Sequence, residues 1–284
     1  MRARWVSLAF ISVIAVAVAA CTKTSQTTTQ ATPTATEQAT AIGSPLPPVE
    51  TPSPASGATA AAAPAASPTV NVAFTDINGI FAQQAIIDEA KLGVFDSTTG
   101  TFDPQASLTR GDFVKWLVKA NNAYYQDASE SQIRLAEGGQ PTFVDVATTH
   151  PDYPYVQALA NAGFVIGVDD THFAPDRDIT REEMIAIKVG LDLKGDPYKN
   201  TGLADVRQVY PFADVERINK RYYDAIYGDD FDGSKNIPRV FGAMKRFNPQ
   251  QPVTRAEAAL CIDKIGTYSP RTAERAVAAP AATP

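Results

Sequence analysis

Three arginines occupy the same setting in this chain. Arg110, Arg181 and Arg255 each follow a threonine (Thr109, Thr180 and Thr254), and each stands two residues before an acid (Asp112, Glu183 and Glu257). The full stretches read FDPQASLTRGD (102–112), FAPDRDITREE (173–183) and FNPQQPVTRAE (247–257). Threonine followed three residues later by Glu is a capping box, in which each side chain satisfies an orphan backbone N–H at a helix start. Asp112 is a shorter and weaker version. An arginine directly after such a cap is mildly unfavourable, because the helix start already carries partial positive charge. Its recurrence asks for a reason, and two fit. Free N–H groups, the helix dipole and the guanidinium together make an anion site. Alternatively, each arginine pairs with a carboxylate of the next repeat.

The elements that must position these arginines also recur. F-x-D appears at Phe74-Thr75-Asp76, Phe143-Val144-Asp145 and Phe212-Ala213-Asp214. Each copy precedes a short helical segment: FAQQAIIDEAKLG (81–93), YPYVQALANAG (153–163) and YYDAIYG (222–228). The F-x-P frame follows, where Pro104, Pro175 and Pro249 fix a turn. A second helix is expected from each threonine. Four residues on stand Phe113, Met184 and Ala258; seven on, Trp116, Ile187 and Cys261; eleven on, Ala120, Leu191 and Ile265. That is one apolar face at helical period, and it makes Cys261 a core thiol. Eight on, Lys188 breaks the apolar series and is expected to face a groove or to snorkel to water. One helix-loop-helix unit cannot bury its own face, so three stacked units make a sensible minimum.

Composition bounds the rest. The 284 residues carry a formal charge of −6, and loss of Arg2 and Arg4 with the first twenty residues makes it −8. No basic face for nucleic acid is expected. Residues 22–70 are mostly Thr, Ala, Pro, Ser and Gln with no aromatic residue. Such a stretch cannot bury enough apolar surface to offset chain entropy. It reads as a disordered spacer of roughly 40 Å as a coil and about 150 Å fully extended. The N-terminus, MRARWVSLAFISVIAVAVAAC, reads as a secretory signal (1–20) whose apolar run is short for a bilayer span. Val18-Ala19-Ala20-Cys21 resembles a bacterial lipobox. That resemblance implies lipid on the Cys21 thiol and cleavage before it, which would hold the protein to a membrane, the outer one in a diderm cell. The small, Pro-rich end, 269–284, is expected to be a disordered tail.

F-x-D, a helix, Gly, then F-x-P-x5-T-R-x-E, three times over, resembles the S-layer homology domain. The resemblance covers about residues 71–268, with repeats at 71–125, 141–195 and 210–268. It implies an all-α fold of three repeats in a pseudo-threefold bundle, preceded by the disordered linker. It also implies grooves that bind cell-wall polysaccharide or peptidoglycan-linked glycan without covalent bonds. Arg110, Arg181 and Arg255 are then the candidate glycan contacts. Phe81, Tyr153, Tyr155 and Tyr222 stand near the family's usual first-helix Trp and are candidates for stacking on sugar rings. The third repeat departs from the pattern through an insertion at 228–246.

No enzyme is expected, and neither a cofactor nor a metal. His150 and His172 lack metal-ligand spacing, and no nucleophile motif or phosphate loop occurs. Asp229-Asp230-Phe231-Asp232-Gly233 places Gly228 where an EF-hand loop needs Asp. An envelope protein partner using the same fold remains the alternative to a glycan.

Overall fold

The computed structural model describes residues 70–279, except 166, 196–197 and 232–234. These residues belong to the second of two units into which the chain divides, Ala62–Pro284. The signal segment, Cys21 and nearly all of the linker lie outside them.

The first repeat opens with strand β1 (Ala73–Phe74), then helix α1 (Gln83–Lys91), strand β2 (Thr99–Gly100) parallel to β1, and helix α2 (Arg110–Tyr124). The second contributes α3 (Tyr153–Asn161) and α4 (Arg181–Asp192). A short helix α5 (Leu203–Val209) precedes the third repeat, which holds α6 (Tyr223–Phe231), α7 (Asn236–Phe241) and α8 (Arg255–Ile262). The domain is mainly helical, and no described helix is long and apolar enough to cross a membrane.

The last helix of each repeat, α2, α4 or α8, begins at its arginine. Thr109 and Thr254 accept the N–H groups of Asp112 and Glu257 at 3.1 and 3.2 Å. Glu183 and Glu257 accept back from the N–H groups of Thr180 and Thr254 at 3.0 and 2.8 Å. All nine apolar positions at plus four, seven and eleven are buried. Burying one such large side chain stabilises by about 1.5–3 kcal/mol, so this face holds the three helices to a shared core. Cys261 is free and wholly buried, and burial pushes its thiol up to about 12. Lys188 differs from its expected place. It is fully buried and pairs at 2.5 Å with Asp192, which also accepts from Asn236 Nδ2 and the Gly266 N–H.

Each F-x-D aspartate closes its own F-x-P turn. Asp76 accepts the N–H groups of Phe102 and Asp103, Asp145 those of Phe173 and Ala174, and Asp214 those of Phe247 and Asn248, all between 2.7 and 2.9 Å. The middle residue of each F-x-P has a left-handed backbone, with φ of 56°, 58° and 51° at Asp103, Ala174 and Asn248. That conformation costs an L residue roughly 1–2 kcal/mol, and the paired carboxylate bonds offset it. The amide of Phe102, above all, holds the Asp76 carboxyl below its usual range.

The chain's end corrects the sequence expectation of a disordered tail from 269. Strand β4 (Arg271–Thr272) pairs antiparallel with β3 (Lys264–Ile265), and helix α9 (Ala273–Ala278) packs on α1 and α2. Ala273 is buried, and Arg271 pairs with Asp127 while lying over the Tyr125 ring. Small residues suit this close approach, which their low hydrophobicity conceals in the sequence.

α1 is joined to the third repeat through a buried acid. Glu89 meets the Tyr124 hydroxyl, which also donates to the Ile262 carbonyl at 3.0 Å. Burial pushes the Glu89 carboxyl well above the usual range, against the pull of the Tyr124 hydroxyl and with added push from Asp263 and Asp88. The folded chain therefore keeps a proton that the unfolded chain releases near pH ~4.3. This contribution to stability is complete below that pH and is lost as pH rises towards the folded-state value. Glu89→Gln keeps the neutral shape, so it should flatten this fall and raise Tm at pH 7 relative to the native chain. Melting curves between pH 4 and 8 check this; parallel pH profiles for the two chains would mean that Glu89 is ionised in the fold.

Candidate functional site

The helix starts are not free to hold an anion. At α2 the N–H groups of Arg110 and Gly111 donate to the carbonyls of Arg177 and Pro175, both at 2.9 Å. At α4, Arg181 and Glu182 donate to Gln251 and Pro249 at 3.0 and 3.1 Å. At α8, Arg255 and Ala256 donate to Ala106 and Pro104 at 2.9 and 3.0 Å. The F-x-P loop of one repeat thus satisfies the helix start of another. This overturns the expectation of open N–H groups at those positions, and it leaves the arginine side chains, not the helix N–H groups, to meet an anion there.

Each guanidinium follows the same path. Arg110 Nε donates to the Phe173 carbonyl at 2.8 Å, Arg181 Nη1 to that of Phe247 at 3.2 Å, and Arg255 Nε to that of Phe102 at 2.7 Å. Repeat one therefore reaches repeat two, two reaches three, and three returns to one. Beyond this shared bond the three diverge. Arg110 has no exposed surface, lies over the Phe173 ring and is within 3.4 Å of Glu183. Arg181 is largely covered, lies over Phe241 and pairs with Glu257 at 2.9 Å. Pairing with the next repeat's acid, the second reading of the sequence, describes both of these contacts.

Arg255 is different. Its guanidinium lies 4.7 Å from the Phe102 ring and 4.9 Å from Trp116, and it makes no ion pair among the described residues. It borders a groove of about 240 Å³ lined by Phe74, Phe95, Trp116, Ser97 and Thr101. Burial lowers its pKa, against the attraction of Asp112, Asp103, Asp76 and Asp96, and an arginine remains charged under such a shift. Two of those acids have their own partners. Asp96 binds Lys115 and Lys119 at 3.3 and 3.2 Å, and Asp112 binds Lys115 at 3.0 Å. The groove is thus an aromatic wall with one unpaired cation, beside carboxylates that lysines already neutralise.

The other expected aromatics lie elsewhere. Tyr153 is buried and its hydroxyl donates to the Gly139 carbonyl at 3.3 Å. Tyr155 packs partly buried against the core. Tyr222 is buried, and burial, then Glu183, pushes its hydroxyl up to about 12. Phe81 is 84% exposed but borders a separate cavity with Arg239, Asp263 and Lys264. None of the four lines the Arg255 groove. Its aromatic wall comes from Phe74, Phe95 and Trp116, of which Trp116 reads in the sequence as core. A larger cavity of about 630 Å³, bordered by Tyr125, Ile133, Asn161, Phe164 and Lys194, is lined by none of the three arginines.

Three segments of the chain, 73–114, 142–185 and 244–259, match the S-layer homology (SLH) domain. Each segment includes an F-x-P turn or the Thr-Arg helix start that follows one. SLH domains are modules that bind cell-wall polymers. Among curated proteins, the chain is 25% identical over 198 residues to a surface-layer 125 kDa protein of Lysinibacillus sphaericus, covering 67% of this chain and 14% of that one. It is 28% identical over 116 residues to an uncharacterized cell wall amidase of Bacillus anthracis, covering 41% of this chain and 20% of that one. The chain thus spans a fifth or less of the length of either relative.

Proposed function

We propose that this protein binds an anionic cell-wall polysaccharide through the Arg255 groove and ties it to a membrane through lipid on Cys21. The observation that carries the reading is the unpaired Arg255 guanidinium beside Trp116. A guanidinium takes a carboxylate in a two-bond fork, and an aromatic ring accepts the apolar face of a sugar. The cyclic Arg-to-Phe carbonyl bonds support a pseudo-threefold bundle of the three repeats. In that bundle Arg110 and Arg181 serve the joints between repeats alone, while Arg255 both joins the third repeat to the first through Phe102 and serves the ligand. Residues 22–70 act as the spacer between lipid and wall. The role is non-catalytic.

The test is co-sedimentation of the full chain, in detergent, with protein-free sacculi, untreated or stripped of accessory polysaccharide by acid. Binding that vanishes on stripping supports the accessory glycan as ligand. Binding that survives points to peptidoglycan, and absence of binding to either favours an envelope protein as partner. Arg255→Ala should weaken sedimentation about 10- to 100-fold, matching the worth of a charge-assisted hydrogen bond. Loss of the bond to the Phe102 carbonyl should also cost about 1–3 kcal/mol of stability, so sedimentation is compared per folded molecule; unchanged binding per folded molecule would make Arg255 structural. Mass measurement of the N-terminal peptide tests the lipid on Cys21.

A further inference from the structure

Asp112 stands where the other two repeats have Glu183 and Glu257, and the difference of one methylene explains why Arg255 is open. Glu257 shows what the longer side chain does. Its Oε2 takes the Thr254 N–H at 2.8 Å, while its Oε1 takes Arg181 Nη2 at 2.9 Å. Glu183 likewise caps Thr180 at 3.0 Å and lies 3.4 Å from Arg110. In cyclic order the partner of Arg255 should be residue 112. The Asp112 carboxylate instead bonds to side chains of its own helix start. It accepts from the Thr109 hydroxyl at 3.1 Å and from Lys115 at 3.0 Å. It attracts Arg255 without pairing with it.

We propose that Asp112 is the residue that selects which joint recognises the ligand: its short side chain leaves Arg255 unpaired, and a glutamate there would close the groove as Glu257 closes the joint at Arg181. The link to ligand rests on the wall-glycan reading, but the pairing itself does not. The other acid lining the groove, Asp96, fits this assignment, since it is occupied by Lys115 and Lys119.

The experiment is Asp112→Glu in the full chain, alone and combined with Arg255→Gln, read by melting temperature and by sedimentation with untreated sacculi. A completed capping box and a new ion pair should together raise Tm by about 2–4 °C. The rise should be larger with Arg255 present than in the Arg255→Gln chain, because only the pair depends on the guanidinium. Equal rises in the two backgrounds would show that the longer acid does not reach Arg255, and would overturn the proposal. With the pair formed, sedimentation should fall about tenfold or more, and unchanged sedimentation would overturn selection by Asp112. If the native chain fails to sediment, the wall-glycan reading falls, while the two melting series still decide whether Asp112 keeps Arg255 unpaired.

Discussion

Arg110→Ala should destabilise the domain by about 3–5 kcal/mol, the usual cost of removing one partner from a buried charge pair. Arg110 has no exposed surface, and it joins the first two repeats through the Phe173 carbonyl, the Phe173 ring and Glu183. Its removal leaves a buried carbonyl without its donor and a cavity the size of a long side chain. Glu183 keeps Arg177 at 2.5 Å, so the effect should sit toward the lower end. Burial works to raise the Glu183 pKa, but Arg110 and Arg177 outweigh it and hold the carboxyl below its ordinary value. The stability this supplies is present above the unfolded value, about pH 4.3, and is lost as pH falls through the folded one. The deficit of the Arg110→Ala chain should therefore shrink in acid. Urea unfolding followed by circular dichroism at pH 7 and pH 3.5 checks both statements. A loss below about 1 kcal/mol at pH 7, the worth of a surface pair, would mean that the joint does not depend on this guanidinium.

Asp214→Ala should cost about 2–5 kcal/mol. The Asp214 side chain is buried and accepts two backbone N–H groups, those of Phe247 and Asn248, both at 2.9 Å. Each donor left without a partner costs about 1–3 kcal/mol. The turn also loses what holds Asn248 at a φ of 51°. Asn248→Gly in the alanine background should recover part of the loss, because glycine adopts that backbone freely. The measurement is the urea midpoint of the single and double variants. An unchanged midpoint for Asp214→Ala would show that water replaces the carboxylate at no cost. The same substitution at Asp76 should cost less, because that carboxylate is only partly buried and its turn lies nearer to solvent.

Much of the helical frame was legible because its rules are local. Thr-x-x-acid spacing located the starts of α2, α4 and α8, and period 3.6 picked out Phe113, Met184 and Cys261 as core. The role of the F-x-D aspartates was not legible, although the repeat itself was visible. Their bonds run to residues about 26 to 34 positions away, and no local pattern shows which turn a carboxylate will close. Lys188 could not be placed for the same reason. Its partner Asp192 is four residues on, but the burial that makes the pair necessary comes from the third repeat. The groove was half legible. Arg255 stood out with its two counterparts, whereas its aromatic wall did not, since Trp116 follows the core period and borders the groove as well. The one-methylene difference at position 112 was plain in the sequence, yet its meaning depends on which arginine faces it.

The parallel pairing of β1 with β2 bears on how the protein would carry load. Phe74, in β1, borders the groove that Arg255 closes from the far end of the chain. If, as proposed, a wall polymer is held in that groove, a pull on the chain just before residue 70 would pass through β1 and the bonds from the Ala73 and Thr75 N–H groups to the Thr98 and Gly100 carbonyls. It would leave through Trp116 and Arg255 without crossing α3 or α4. The second repeat would then act as a buttress that keeps the joint shut rather than as a link in the chain of tension. The strength of the attachment would be set by a few residues around Phe74 and Phe102, not by the stability of the whole domain.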